Sequence, residues 1–197
     1  IRLHAAADRA IVNPGFASIF GTDGDFPTIG NPNLTPEENK GYEAGVELPL
    51  PGMSGFVDVT YFDETLTDEI VFSGAPDPYN YENQQGDSKR KGVELTTEIR
   101  VSTVVQLGGS FTYLDAVDPD GAREIRRPRQ EYAVTGRWRL PAVSSVISAD
   151  VRHIRGLYDD QFWNGGKDGA RLSNFTTIDL AATHQLNESI DLFVKLD

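Results

Sequence analysis

The side chains best suited to chemistry in this chain do not form a catalytic set. Phe16, Phe20, Phe26, Tyr79, Tyr81, Phe162 and Trp163 fall in stretches rich in Gly, Pro, Asn and Asp, with Asp159, Asp160 and Lys167 beside the last two. Aromatic rings offer large apolar area, and a few charges fix orientation, so this set suits contact with a large planar or cyclic ligand. The same rings could instead pack one loop against another, and both readings stay open. Asp115, Asp118 and Asp120 before Gly121 have part of the spacing of a calcium loop. However, Ala116 stands at its first ligand position and Arg127 at its bidentate glutamate position, so no calcium is expected there. His4, His153 and His184 are single and dispersed, without metal-ligand spacing. No nucleophile–base pattern and no phosphate-binding glycine loop occurs, so the sequence predicts no catalytic residue, no metal, no resident cofactor and no enzyme.

Composition narrows the classes further. The 197 residues hold 30 acidic and 18 basic side chains, a formal net charge of −12, which disfavours broad attraction to nucleic acid and suits cationic or metal-chelated solutes. The absence of cysteine removes disulfides, thiol nucleophiles and thiolate metal sites together. No apolar run approaches the roughly 20 residues a membrane helix needs. That leaves a membrane β-barrel open, because its strands alternate apolar and polar residues and keep overall hydropathy low.

The elements that must position these residues are strands. Gly30 to Glu38 carries Asn-Pro and Thr-Pro steps, and residues ahead of proline are forced out of helical conformation. Tyr42, Ala44, Val46 and Leu48 then alternate with Glu43, Gly45 and Glu47. Period-two alternation of this kind predicts strands over 1–8, 41–48, about 54–63, 91–100, 105–114, 131–140, 146–152, 177–183 and 190–196. Between them, connectors 9–40, 65–87, 115–130 and 156–174 are long, and those near 49–52, 101–104, 141–145 and 187–189 are short. Long and short alternate without exception, so in an antiparallel meander all long loops share one end and all short turns the other.

One face of this sheet is predicted to carry Glu43, Glu47, Asp58, Glu94, Glu98, Arg100, Arg137, Arg139, Asp150, Arg152, Asp179, Asp191 and Lys195, and the other almost no charge. Tyr42, Tyr61, Tyr113, Tyr132 and Trp138 fall on the apolar face near strand ends, where interfacial aromatics of a barrel would lie. The competing reading is a soluble antiparallel sheet with its charged face in water. About nine strands cannot close a bacterial barrel of even strand number, and the first residue, Ile1, is no start signal. Both point to a piece of a longer chain, with any signal peptide outside it.

Several phrases carry a family resemblance. Gly30-Asn-Pro-Asn-Leu-Thr-Pro-Glu before the Tyr42-Glu-Ala-Gly-Val-Glu strand, Tyr81-Glu-Asn followed by Lys91-Gly-Val-Glu-Leu, Arg126-Arg-Pro-Arg, and Ile190-Asp-Leu-Phe-Val-Lys-Leu-Asp occur in order over nearly all of the chain. Together they resemble TonB-dependent outer-membrane receptors, with the Arg-Arg-Pro step closest to the cobalamin-transporter branch. The resemblance implies an all-β fold, an antiparallel up-and-down meander forming the C-terminal portion of a barrel of about 22 strands with a plugged lumen. It places the chain as a multi-pass protein of the bacterial outer membrane. It implies TonB-energised uptake of a ferric siderophore, cobalamin or haem, with outer-membrane lipid, an N-terminal plug domain and the TonB complex as partners. The plug, the TonB box and the last strand are expected outside these residues. In that setting the charged face lines the lumen, and Arg126, Arg127 and Arg129 either draw an anion such as lipopolysaccharide phosphate or join a salt-bridge network, the second being the expectation. The sequons at Asn33, Asn174 and Asn187 are then irrelevant. A passive porin-like channel and a soluble β-sandwich of carbohydrate-binding or adhesin type are the competing functions.

Overall fold

Wherever side chains alternate with period two, the backbone is extended and pairs with a neighbouring strand, on both sides except at β1 (Arg2–Val12) and β13 (Ile190–Leu196), the two edges of the sheet. The computed structural model describes residues 1–22, 28–73, 80–159 and 170–197. In chain order its elements are β1 (Arg2–Val12), α1 (Phe16–Phe20), β2 (Glu37–Pro49), β3 (Ser54–Thr67), β4 (Ile70–Ser73), β5 (Asn80–Asn83), β6 (Asp87–Arg100) and β7 (Val105–Val117). There follow β8 (Gln130–Leu140), β9 (Ser145–Arg155), β10 (Tyr158–Asp159), β11 (Ala170–Arg171), β12 (Phe175–Asn187) and β13 (Ile190–Leu196). The nine long strands form one antiparallel sheet in the order β1-β2-β3-β6-β7-β8-β9-β12-β13, each beside its sequence neighbour apart from the two small hairpins β4–β5 and β10–β11, which belong to loops. The fold is thus the up-and-down meander expected, with nine strands in the sheet.

The short turns show why they are short. Met53 N–H returns to Leu50 O at 3.2 Å, Ser102 Oγ accepts from Val104 and Val105 N–H at 3.2 and 3.1 Å, and Asn187 Oδ1 accepts from Ser189 N–H at 2.9 Å. Pro141–Val143 makes one 3-10 turn. Each closes its own backbone groups within a few residues, so nothing longer is needed.

Several strands run further than hydrophobic alternation foretells. β1 continues from Asp8 to Val12, β2 begins at Glu37 instead of 41, β6 begins at Asp87 instead of 91, and β7 reaches Val117. Pairing Val12 with Glu37 and Lys89 with Val117 shows that the ladder outlasts the apolar stripe. Ladder hydrogen bonds need only a partner strand, whereas alternation is visible only where one face is apolar.

No second layer covers the sheet among the described residues. Ala116 is the only apolar side chain there that is buried. Val134 is 59% and Leu180 43% exposed, while Val57 and Leu95 are half-buried. The accessible surface is 13590 Å², against roughly 9,200 Å² for a compact monomer of this mass. A sandwich would bury one face of each sheet against the other, so the soluble-sandwich reading does not describe this chain.

Inside the sheet, close packing is set by small residues. A Cβ on Gly92 would lie 2.1 Å from Tyr113 O and 2.7 Å from the Phe62 ring. Gly92→Val in the intact protein should therefore push β6 from β7 and cost about 1–3 kcal/mol. The folded band on a semi-native gel should then be lost at a lower temperature than in wild type; an unchanged transition would contradict the packing described.

Candidate functional site

Directly paired residues of neighbouring strands share a face, so the register assigns every strand side chain. One row runs Arg2, Glu47, Asp58, Thr96, Ser110, Ala133, Arg152, Thr177 across eight strands. The next runs Glu98, Gly108, Thr135, Asp150, Asp179, and another Arg100, Gln106, Arg137, Ser148, Ala181, Lys195. Glu43, Glu94, Arg139 and Asp191 lie in parallel rows of the same face. All the charged strand residues singled out from the sequence therefore share one surface.

That surface is internally paired. Arg2 donates to Glu47 at 2.7 Å, His4 Nε2 lies 2.9 Å from Asp58 Oδ2, and Thr60 donates to the other Asp58 oxygen at 2.9 Å. Arg152 meets Glu131 at 2.7 Å. Toward the short turns a cleft of about 530 Å³ is lined by Phe56, Glu98, Arg100, Gln106, Arg137 and Asp150 among others. Pairs this open to water contribute little stability; they hold side chains of both signs upright on the face.

At the long-loop end lies a tighter network. Arg90 Nε donates to both Glu124 oxygens at 2.9 and 3.0 Å, Arg90 Nη2 lies 3.3 Å from Glu69, and Ser88 Oγ bonds the second Glu69 oxygen. Arg127 adds a 3.4 Å contact to Glu124. Arg90 and Glu124 side chains are only 15% and 13% exposed, where losing one partner strands a buried charge. Glu69 comes from the loop after β3 and Glu124 from the loop after β7, so Arg90 ties two long loops to the charged face. Sequence reasoning missed Glu69, Arg90 and Glu124. Extending the β6 alternation two steps back from Glu94 places Arg90 on the charged face, a signal hidden by starting the strand at Lys91.

The first two long loops clasp each other through the proline-rich phrase. Asn31 Nδ2 donates to Tyr81 O at 3.0 Å, Asn83 Oδ1 accepts from Thr35 N–H at 2.9 Å, and Asn83 Nδ2 donates to Thr35 O and Asp68 O at 2.9 and 2.7 Å. Glu37 Oε1 accepts from Ile70 N–H at 2.7 Å. Tyr81 packs edge-on against Phe72 at 5.3 Å, and Phe16 and Phe20 stack at 4.6 Å on α1. Phe16 and Phe20 are exposed, while Tyr81 is half-buried. In the later loops Asp159 takes Arg126 at 3.3 Å. Phe26, Tyr79, Asp160, Phe162, Trp163 and Lys167 lie outside the described residues.

The three arginines of the Arg126-Arg-Pro-Arg phrase part company. Arg126 goes to Asp159 and Arg127 to Glu124, the salt-bridge outcome, but Arg129 turns to the Tyr113 hydroxyl at 2.8 Å. Asp118 Oδ1 is occupied by Asp120 and Ala122 N–H at 3.0 and 2.8 Å, so it closes its own turn. Asp115 lies on the opposite face of the sheet from the Glu94 row, across from Lys91.

The opposite, apolar face has its own order. From Val93 to Val101 and from Tyr132 to Leu140 its side chains are uncharged, a span of nine residues in each case, which matches a tilted membrane-crossing strand. The strand residues of this face that carry charge are Arg9, Glu38, Lys40, Asp63, Asp87, Lys89, Lys91, Asp115 and Arg155, all toward the long loops. Tyr61 and Tyr113 flank Val93 in one row just inside them, and Trp138 sits near the short turns, 51% exposed.

Comparison with known proteins agrees with this architecture. The family profile "TonB dependent receptor-like, beta-barrel" matches residues 1–197. Metal-pseudopaline receptor CntO of Pseudomonas aeruginosa is 26% identical over 168 residues, covering 82% of this chain and 23% of its own length. Vitamin B12 transporter BtuB of Photobacterium profundum is 24% identical over 202 residues, covering 98% and 30%. Among solved structures, copper transporter OprC superposes with a TM-score of 0.71 at 15% identity, over 98% of this chain and 30% of OprC. FpvA of P. aeruginosa bound to pyoverdine gives 0.69 at 15% identity, over 98% and 26%. The chain thus spans less than a third of each of these relatives. Its match along the whole family profile, its meander and its two unlike faces agree: this chain belongs to the TonB-dependent receptor family and forms part of its β-barrel domain.

Proposed function

We propose that this chain supplies wall and extracellular loops to an outer-membrane receptor that takes up a scarce, large solute with energy delivered through TonB. The observation that carries the reading is a single-layer sheet with one face charged along its strands, the other uncharged below its long-loop margin, and loops sorted by length. The uncharged band meets lipid, and the charged face meets water and a plug domain contributed by the rest of the protein, within a barrel of about 22 strands. The solute belongs to the class of ferric siderophores, other metal chelates, cobalamin or haem; the names of its relatives carry a metal-pseudopaline complex, vitamin B12 and pyoverdine. Phe16, Phe20 and Tyr81, with Phe26, Tyr79, Asp159, Asp160, Phe162, Trp163 and Lys167, are the ligand-facing candidates. The chain contributes no catalytic step.

Growth rescue of a strain dependent on the intact receptor, with cobalamin, ferric siderophores, metal-pseudopaline and haem supplied in turn, identifies the cargo. Its uptake should stop when a protonophore collapses the inner-membrane gradient; continued uptake would establish a passive channel instead. Arg90→Met, which leaves Glu69 and Glu124 without their cation, should destabilise the loop end by about 3–5 kcal/mol. Cargo affinity should fall at least about tenfold, about 1.4 kcal/mol, while the barrel still migrates as folded. Unaltered affinity would show that the tethered loops do not shape the binding site.

A further inference from the structure

Four arginines gather at the long-loop edge of the apolar face. Arg123, Arg129, Arg155 and Arg171 line a hollow of about 320 Å³ with Tyr113 and Tyr158. Its orientation follows from the register. Tyr113 pairs with Val93 on one side and Gln130 on the other, and Gln130 pairs with Arg155, which puts Tyr113 and Arg155 on the apolar face. Arg129 Nη2 donates to the Tyr113 hydroxyl at 2.8 Å, and its guanidinium lies 5.4 Å from that ring. The Arg123 guanidinium lies 4.8 Å from the Tyr158 ring, and Arg171 is the strand partner of Tyr158. Gly156, at φ +68°, lets the backbone pass between them: a Cβ there would sit 3.1 Å from Arg129 Cβ and 3.6 Å from Arg123 Nη2.

None of these four arginines makes an ion pair with a described carboxylate, whereas Arg90, Arg126 and Arg127 all do. The neighbouring Asp159 is engaged by Arg126. In a chain of net charge −12, four gathered guanidiniums repel one another; among the described residues the Asp115 carboxylate acts on Arg129 without pairing with it, and the tyrosine contacts orient the arginines without neutralising them. Arginine pairs bidentately with phosphate oxygens. Lys89 and Lys91 carry further positive charge along β6, Lys91 between Asp63 and Asp115, and no charged strand residue occupies the apolar face at the short-turn end.

We propose that Arg123, Arg129, Arg155 and Arg171 form an outward-facing site for a phosphate monoester, and that its source is the phosphorylated headgroup of an outer-leaflet glycolipid whose acyl chains lie along the apolar face. The position decides between lipid and free phosphate: the site opens beside Tyr113, with Phe111 next on the same face of β7, at the upper edge of the uncharged band, where a headgroup rests when its chains follow the strands. It rests on the reading that the apolar face meets lipid.

Native mass spectrometry of the intact, delipidated receptor in detergent tests it with three probes: bis-phosphorylated lipid A, the same lipid dephosphorylated, and inorganic phosphate. Wild type should retain the phosphorylated lipid on the order of tenfold better than the dephosphorylated one, and equimolar inorganic phosphate should not displace it. Arg129→Gln/Arg155→Gln should lose that preference, Arg129→Lys/Arg155→Lys should keep part of it, and Arg137→Gln on the charged face should keep all of it. Heat-modifiable migration verifies that each variant is folded. Equal retention of the two lipids, undiminished preference in the glutamine variant, or displacement by equimolar phosphate would overturn the proposal. Extraction without detergent would refute the membrane placement separately.

Discussion

The backbone must find hydrogen-bond partners along strands of up to fourteen residues, and only a neighbouring strand at fixed register supplies them. Once that ladder forms, side chains are dealt alternately to two surfaces, and a slip of one residue would exchange them wholesale. Register is therefore the physical term on which the faces, the loop ends and the candidate site all depend. Gly92 beside the Tyr113 carbonyl and the Phe62 ring shows how little slack the ladder leaves.

The two faces use charge differently. On the charged face, opposite signs are interleaved across strands, as Arg2 with Glu47 and Arg152 with Glu131, so a surface of many ionised groups has no single sign. Among the described residues pairing becomes enclosed at the loop end, around Arg90, and there it anchors loops. On the apolar face, charge is confined to one margin, and basic residues there include several without a described carboxylate. A sheet in uniform solvent has no cause to grade charge along its strands in this way; a boundary between hydrocarbon and headgroups does.

Much of this was legible from residue order. Alternation located all nine long strands, and the long–short rhythm of connectors placed every long loop at one end. Glu43 through Lys195 share a face because the period is two and the turns are short, both visible in the chain. Strand limits were not legible, since Arg9, Lys40 and Lys89 break the hydrophobic stripe while the ladder continues through them. Contacts made by the loops were hidden for another reason: Asn83 meets Thr35 and Glu124 meets Arg90 across separations no local pattern encodes. The proline-rich phrase near Asn31 reads locally as a stiff turn, and its role as a strap to Tyr81 emerges only in three dimensions.

The chain contains no cysteine, so single spin-labelled cysteines can be introduced along β6 in the intact receptor and their collision rates with oxygen and with a polar nickel chelate measured in a bilayer. The account predicts that positions 93, 95, 97 and 99 favour oxygen while 94, 96 and 98 do not, a strict period of two. A profile without that alternation, or one in which positions 93 and 95 are reached best by the nickel chelate, would contradict it.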